Sequence, residues 1–387
     1  MRLGDENVCQ IIMGQSPPSY TYNKTQEGLP FLQGNMEFGE IYPSPSIYCS
    51  KPIKIAEEND VLISVRAPVG EVNISTSRVC IGRGLAALRC KSDKTNDLFL
   101  FYYLKHMRNK FENISAGSTF KAIKKNDLDQ LGIILPPLPE QKKIAEILST
   151  MDQAIEKVNE AIEKTQRLKK GLMQELLTEG IGHKEFKDTE IGRIPKEWMI
   201  AELSQIGNVI TGTTPSTKVK TYWGKGFPFV TPTDFSEKKY VDQTERMVTN
   251  QGAETARIIP KDSIMVVCIA SVGEVAMALT ECITNQQINT IVCNQGTDRD
   301  YVYYIMVFGK SRLKRWAGIT TSPIIKKSLF EKFPIPLPPL LEQQKISEIL
   351  SAVDGRLELL NKRKERLERI KKGLMNDLLT GKVRVNA

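Results

Sequence analysis

Two stretches of the chain carry a hydrophobic pattern of strict period. In residues 136–178, Ile144, Leu148, Met151, Ile155, Val158 and Ile162 step alternately by four and three, Thr165 keeps the step, and charged side chains fall between them. Such a period of 3.5 residues marks the seam of a helix that packs on another helix. In residues 338–380 the matching places hold Ile346, Leu350, Val353, Leu357, Leu360 and Leu367, with Lys364 where the first stretch has Ile162. Each stretch predicts one helix of about 40 residues, ~60 Å long at 1.5 Å per residue. A single amphipathic helix of that length needs a partner for its apolar stripe. The other copy in the same chain is the nearest one, and an antiparallel pair with pseudo-two-fold symmetry is the simplest closure.

The two stretches are a repeat: at a constant offset of 202 and without a gap, 24 of 43 positions are identical. Both begin Pro-Pro-Leu and continue Glu-Gln-x-Lys-Ile, and both close on Lys-Lys-Gly-Leu-Met followed by Leu-Leu-Thr. Fainter echoes precede them. Gly14-Gln-Ser-Pro17 answers Gly212-Thr-Thr-Pro215, Leu29-Pro-Phe31 answers Phe227-Pro-Phe229, and Val69-Gly-Glu-Val72 answers Val272-Gly-Glu-Val275. The order is therefore variable unit, repeated helix, variable unit, repeated helix, with expected bounds 1–138, 139–183, 184–338 and 339–387. Two similar units with diverged interiors suggest one task performed on two targets.

Inside the units, Asp60 to Ser64 and Ser263 to Ala270 are apolar and β-branched and read as strands. Leu98 to Phe111 and Tyr301 to Trp316 read as helices with basic C-terminal ends. The fold class is accordingly α+β, two α/β-type units joined by two long helices. The proline-rich stretches Leu135 to Pro139 and Pro334 to Pro339 read as rigid joints before each helix. Gly171 and Gly373 recur at one repeat position near the helix ends, which suggests close packing or a bend. Lys364 reads as a seam lysine that snorkels to water.

Length and composition narrow this further. At 387 residues the chain has room for two or three domains, and 41% hydrophobic with 26% charged residues excludes a disordered chain. The N-terminus has no apolar core for a signal peptide, and no stretch is long and apolar enough to span a bilayer. Seven cysteines, an odd number scattered from Cys9 to Cys293, suggest free thiols and a cytoplasmic location. The net charge of +9 permits a polyanionic partner. It is spread thinly, as +2, −1, +4 and +4 over the four segments, so it argues little by itself.

Catalytic chemistry is sparse. The two histidines, His106 and His183, stand at non-matching positions and read as surface residues. No Cys-x-x-Cys pair or zinc-spaced cluster occurs, and Gly309-Lys-Ser311 lacks the first glycine of a phosphate loop. No Asn/Asp-Pro-Pro-aromatic run of an adenine methyltransferase is present. The chain is expected to be no enzyme and to hold no metal or cofactor.

Basic and hydroxyl groups recur instead at matching places. Ser118, Thr119, Lys121, Lys124 and Lys125 in the first unit answer Thr321, Lys326 and Lys327 in the second. Lys105 and Arg108 answer Arg312, Lys314 and Arg315. Such clusters suit phosphate contacts, which position a protein on DNA. Gln33 and Asn35, and Thr231, Thr233 and Asp234, lie in polar loops of the kind that reach base edges.

Taken together, the doubled Leu-Pro-Pro-Leu and Glu-Gln-x-Lys-Ile segment, the closing Lys-Lys-Gly-Leu-Met, the Gly-x-x-Pro near each unit's start and Ile191-Gly-Arg-Ile-Pro-Lys-Glu-Trp198 resemble the specificity subunit of type I restriction-modification systems. The resemblance covers nearly the whole chain. It implies two target recognition domains, each reading half of a split asymmetric site on double-stranded DNA. It also implies that the seam helices act as spacer and as docking surface for two modification subunits. S-adenosylmethionine, ATP and Mg would belong to those subunits and to separate restriction/translocase subunits, with no membrane partner. Family members often carry the 188–198 lead-in before both units, whereas no counterpart precedes Met1. The alternatives are a coiled-coil scaffold joining two protein-binding modules without DNA, and the subunit of a related system whose methylase and nuclease share one polypeptide.

Overall fold

The computed structural model describes residues 1–111, 122–318 and 323–386. Two compact units emerge, residues 1–160 with 362–387, and residues 161–361. Each unit holds one variable segment, half of the first long helix (Leu138–Thr178) and half of the second (Leu340–Leu379).

In the first unit Cys9–Met13, Leu85–Cys90, Val61–Ser64 and Val72–Ile74 form an antiparallel sheet in that spatial order. A second sheet orders Tyr22–Asn23, Ile47–Cys49, Leu29–Leu32, Val79–Ile81 and Ile55–Ala56, with one parallel pair, Leu29–Leu32 beside Val79–Ile81. The second unit repeats the plan. Its larger sheet orders Gly207–Thr211, Ile288–Cys293, Ile264–Val267, Val275–Ala278 and Tyr240–Val241. Its smaller one orders Arg246–Val248, Trp223–Val230, Cys282–Thr284 and Ile258–Ile259, again with one parallel pair, Trp223–Val230 beside Cys282–Thr284. Val61–Ser64 and its counterpart Ile264–Val267 are central strands, which explains why both are buried at every position rather than alternately.

Each unit packs its first sheet on a short helix, Asp97–His106 or Arg299–Phe308, and that helix on the long ones. Asn96 and Asp298 cap these helices, their side chains accepting from Phe99 N at 2.9 Å and Tyr301 N at 2.7 Å. The repeated Glu-Gln pair ties the long helices to the same spots. Gln141 Oε1 accepts from Asn96 N, and Gln343 Oε1 from Asp298 N, both at 2.9 Å. Their amides donate to Pro136 O and Pro338 O at 2.8 Å, so the proline stretch, short of donors of its own, gains one at each helix start.

The antiparallel pairing is visible inside each unit. In the first, Ile144 and Leu148 near the start of one long helix share a core with Leu378 and Leu379 at the end of the other. In the second, Met173, Leu176 and Leu177 meet Ile346 and Leu350. Seam positions nearer the helix middles, Met151, Ile155, Ile162, Val353, Leu357, Leu360 and Leu367, are half-buried, while Val158 and Thr165 are buried. Lys364 reaches outward toward Glu368 at 4.0 Å.

A crossed pair of ion pairs repeats at the offset of the sequence repeat. Asp152 of the first helix accepts from Lys371 of the second and from Tyr102 Oη at 2.6 Å. Asp354 of the second helix pairs with Lys169 of the first at 2.6 Å and accepts from Tyr304 Oη at 2.7 Å. Each carboxylate thus joins a helix of the variable segment to both long helices. Burial, with the neighbouring carboxylate adding to it, pushes both phenols up, so they donate at all ordinary pH.

Two expectations are corrected. A Cβ built on Gly171 or Gly373 meets nothing within 4 Å, so these glycines serve no close packing. Gly171→Ala and Gly373→Ala are each expected to stabilise the protein by about 1 kcal/mol through helix propensity, read as a rise in the melting temperature of the single variants and a larger one in the double. The second proline stretch is also no mere joint: Pro334–Leu337 is a strand paired antiparallel with Met199–Glu202. Prolines fit there because the pair is only two strands wide, leaving each strand an edge that needs no donor.

All seven cysteines are free. Burial pushes Cys9, Cys268, Cys282 and Cys293 up to about 12, which leaves them as inert thiols. No helix among the described residues is long and apolar enough to cross a membrane.

Candidate nucleic-acid interface

The repeated Gly-x-x-Pro segment leaves its strand and meets two other loops. In the first unit Gln15 N donates to Ile81 O at 3.0 Å, Gly82 N to Leu32 O at 2.8 Å and Gly84 N to Gln33 O at 3.3 Å. Residues 14–17, 33–35 and 82–84 therefore converge at one end of the two sheets. The second unit builds the same junction: Thr213 N donates to Thr284 O at 2.8 Å and Asn285 N to Val230 O at 3.1 Å, joining residues 212–215, 231–234 and 285–287. Crowding explains the repeated glycine, since a Cβ on Gly14 would stand 2.2 Å from Gly82 O and one on Gly212 2.0 Å from Asn285 O.

The polar side chains differ between the two junctions. Exposed groups in the first are Gln15, Gln33 and Arg83, with Asn35 half-buried. In the second, Gln286 and Thr233 are exposed, and Thr214 Oγ1 donates to Gln286 Oε1 at 2.7 Å. Asp234 is a structural cap here: its Oδ2 accepts from Thr231 N and Thr231 Oγ1, both at 2.7 Å. Gln15, Arg83 and Gln286 escaped the sequence reading. The Gly-x-x-Pro repeat and the pair Gly82 and Gly84 were the available signals, since such glycines mark close backbone approach.

The expected phosphate contacts divide. Lys105 lies near Glu40, 2.9 Å from its carbonyl oxygen and 3.5 Å from its carboxylate, and Arg108 pairs with Glu71 at 2.6 Å. Lys125 pairs with Asp129 at 2.9 Å and Lys327 with Glu331 at 3.4 Å along their own short helices. Lys124 and Lys326 stand exposed at the caps of those helices, and Lys314 and Arg315 are exposed near Trp316. Arg312 departs from expectation: it is half-buried, lies 4.5 Å over the Phe333 ring and donates to Pro334 O. Ser118, Thr119, Lys121 and Thr321 lie outside the described residues.

The expected surface histidine His183 is instead largely covered. Its Nε2 lies 2.9 Å from Glu342 Oε1, which also accepts from Ile181 N, and Glu342 Oε2 accepts from Trp198 Nε1 at 3.0 Å. At the matching repeat position Glu140 accepts from Arg384 Nε and Nη2 at 2.8 and 2.7 Å and from Val385 N. The Arg384 guanidinium holds the Glu140 carboxyl below its usual range. That contribution is present above the ordinary carboxylate value and disappears as pH falls through the lowered one. Protection of the Val385 amide, its exchange measured against the intrinsic rate at the same pH, is therefore expected to fall in that acid window, and unchanged protection would refute the linkage.

Among the described residues no cluster could hold a metal ion. The arrangement offers hydrogen-bonding side chains on rigid loops, in two differing versions.

The family model for the type I restriction modification DNA specificity domain matches residues 1–164 and 195–369. The type I restriction enzyme MjaVIII specificity subunit of Methanocaldococcus jannaschii is 28% identical over 100% of this chain and 92% of its own length. The putative MjaX specificity subunit of the same organism is 51% identical, over 46% of this chain and 42% of that relative. In fold the chain is similar to the S subunit of a type I restriction-modification system from M. genitalium, with a TM-score of 0.64 at 17% identity over 98% of this chain and 95% of that one.

Proposed function

The chain belongs to the type I restriction-modification DNA specificity family, and from that we propose that it selects an asymmetric, split site on double-stranded DNA and docks two adenine-methylating subunits. Each unit reads one half of the site through its loop junction, and the paired helices carry the docking surface. The chain itself does no chemistry. S-adenosylmethionine, ATP and Mg reside on the modification and restriction/translocase partners, all in the cytoplasm.

The observation that carries this reading is the loop junction built twice on one backbone plan with different side chains: Gln15, Gln33 and Arg83 against Thr214, Thr233 and Gln286. Identical scaffolds with unlike hydrogen-bonding groups are what two half-sites of different sequence require. Exposed Lys124, Lys314, Arg315 and Lys326 supply phosphate contacts that fix register.

Methylome sequencing of a host carrying the chain with its modification subunit tests this. Methyladenine is expected at one split motif, and exchanging residues 1–138 or 184–338 for those of a relative is expected to alter one half only. A methylation pattern unchanged on deleting the chain would refute the reading.

A further inference from the structure

Arg246 is exposed on the edge strand of the second unit's smaller sheet, and the DNA contacts proposed above leave it unused. Its guanidinium lies 4.3 Å over the Trp223 ring and 5.1 Å over that of Phe229, two rings that meet edge to face at 5.0 Å. Two hydrogen bonds tie these surroundings to the loop junction. Trp223 Nε1 donates to Ser216 O at 3.2 Å, one residue past the loop 212–215. Glu245 N donates to Asp234 Oδ1 at 3.1 Å, in the loop 231–234. Within the sheet Arg246 pairs with Phe229, which stands two residues, ~7 Å of strand, before Thr231.

No acid claims this guanidinium. Among the described residues it enters no ion pair and donates no hydrogen bond. Stacking on two rings restricts its rotation, so a planar fork of free donors is held beside the junction. Such a fork fits two acceptors side by side, and DNA offers them on a phosphate and on the O6/N7 edge of guanine.

The surroundings separate the two. Asp234 and Glu245 border the arginine, and their carboxylates oppose the charge of a phosphate far more than the uncharged edge of a base. Phosphates also have better partners close by. Lys218 and Lys220, in the loop that Trp223 closes on Ser216, are exposed point charges on flexible stems. The first unit lays the same aromatic floor, Tyr22 stacked on Phe31 at 4.6 Å, yet Ile47 stands opposite Phe31 where the second unit has Arg246 opposite Phe229. Isoleucine has no donor to offer, so the arginine contact belongs to the second unit alone.

We propose that Arg246 reads a guanine in the half-site of the second unit, donating to its O6 and N7 in the major groove. The assignment rests on the function proposed above, and it adds a base to those met by Thr233 and Gln286.

Methylome sequencing with the unaltered chain and its modification subunit gives the motif, and exchange of residues 184–338 gives the half that the second unit reads. That half is expected to hold a fixed guanine. Changing this guanine is expected to weaken binding of the complex roughly 5- to 150-fold, and R246A is expected to abolish the preference, with R246K intermediate. 7-Deazaguanine at that place, which lacks the N7 acceptor, is expected to weaken the unaltered complex and to leave the R246A complex unaffected. The first half of the motif stays readable in R246A, which shows that the variant is folded. A second half without a fixed guanine, or an R246A complex that keeps every guanine preference, overturns the proposal. An equal loss for all sequences with a flatter salt slope overturns it too, because that is the mark of a phosphate contact. If the unaltered chain directs methylation to no split motif, the proposed function and the guanine assignment both fail. If the motif is there and R246A reads it unchanged, only the guanine assignment fails.

Discussion

Glu342→Ala is expected to destabilise the second unit by about 3–5 kcal/mol, seen as an early unfolding transition in calorimetry. The carboxylate accepts from Ile181 N, the His183 ring and Trp198 Nε1, and its side chain is only 14% exposed. Removing it leaves the indole N–H of the fully buried Trp198 without an acceptor, which costs its desolvation as well as the lost bond. It also frees the turn after the first long helix, where Gly180 and Gly182 take positive φ. Against a stability of roughly 5–15 kcal/mol for a domain, that loss is large. Glu140→Ala, at the same repeat position, is expected to cost clearly less, because its partner Arg384 is 66% exposed and can return to water. Equal losses at the two positions would show that the buried indole is not what makes Glu342 expensive.

The second large effect is on specificity. Thr233→Ala with Gln286→Ala is expected to erase recognition of one half of the split motif while the other half stays readable. Base-edge contacts are worth about 1–3 kcal/mol each, so the double variant is expected to lose about 30-fold to ten-thousandfold in affinity for the full site at fixed salt. Its slope against salt concentration should not change, since neither side chain is charged. Lys314→Ala with Arg315→Ala is expected to do the reverse, lowering affinity for all sequences and flattening the salt slope. Competition binding at several salt concentrations separates the two outcomes. A Thr233/Gln286 variant that keeps the full motif would place base readout outside this junction. Asp234→Ala is a poorer probe, because Asp234 caps its own turn through Thr231.

The contrast between Glu140 and Glu342 also shows why a repeat in sequence underdetermines the structure. The two glutamates are the same letter in the same motif. One is met by an exposed arginine at residue 384, the other by a histidine and a buried tryptophan at residues 183 and 198. Those partners lie outside the repeated helices, and nothing local marks them. His183, which reads as a surface residue from the polar segment around it, is covered for this reason.

The expected DNA contacts show the same limit from another side. Clusters of lysine and arginine are legible as clusters, but whether each charge is free depends on acids far off in the chain. Glu71 claims Arg108 and Glu40 lies against Lys105. Lys125 and Lys327, by contrast, meet acids four residues on, Asp129 and Glu331, a spacing that helix geometry makes readable in advance.

What the sequence determined by itself is the doubled architecture. A period of 3.5 residues and an offset of 202 are local and translational regularities, and they fix two long helices, their seams and two similar α+β units before any contact is known. Tertiary structure alone decided which side chains share a place. Loops at residues 14, 33 and 82 meet because two sheets end together, and Arg312 leaves the expected DNA surface because the Phe333 ring and Pro334 O hold its guanidinium, beside a cavity also lined by a hairpin more than a hundred residues earlier. Pairing across such distances is set by how strands and helices stack, a property of the whole fold that no single stretch of residues contains.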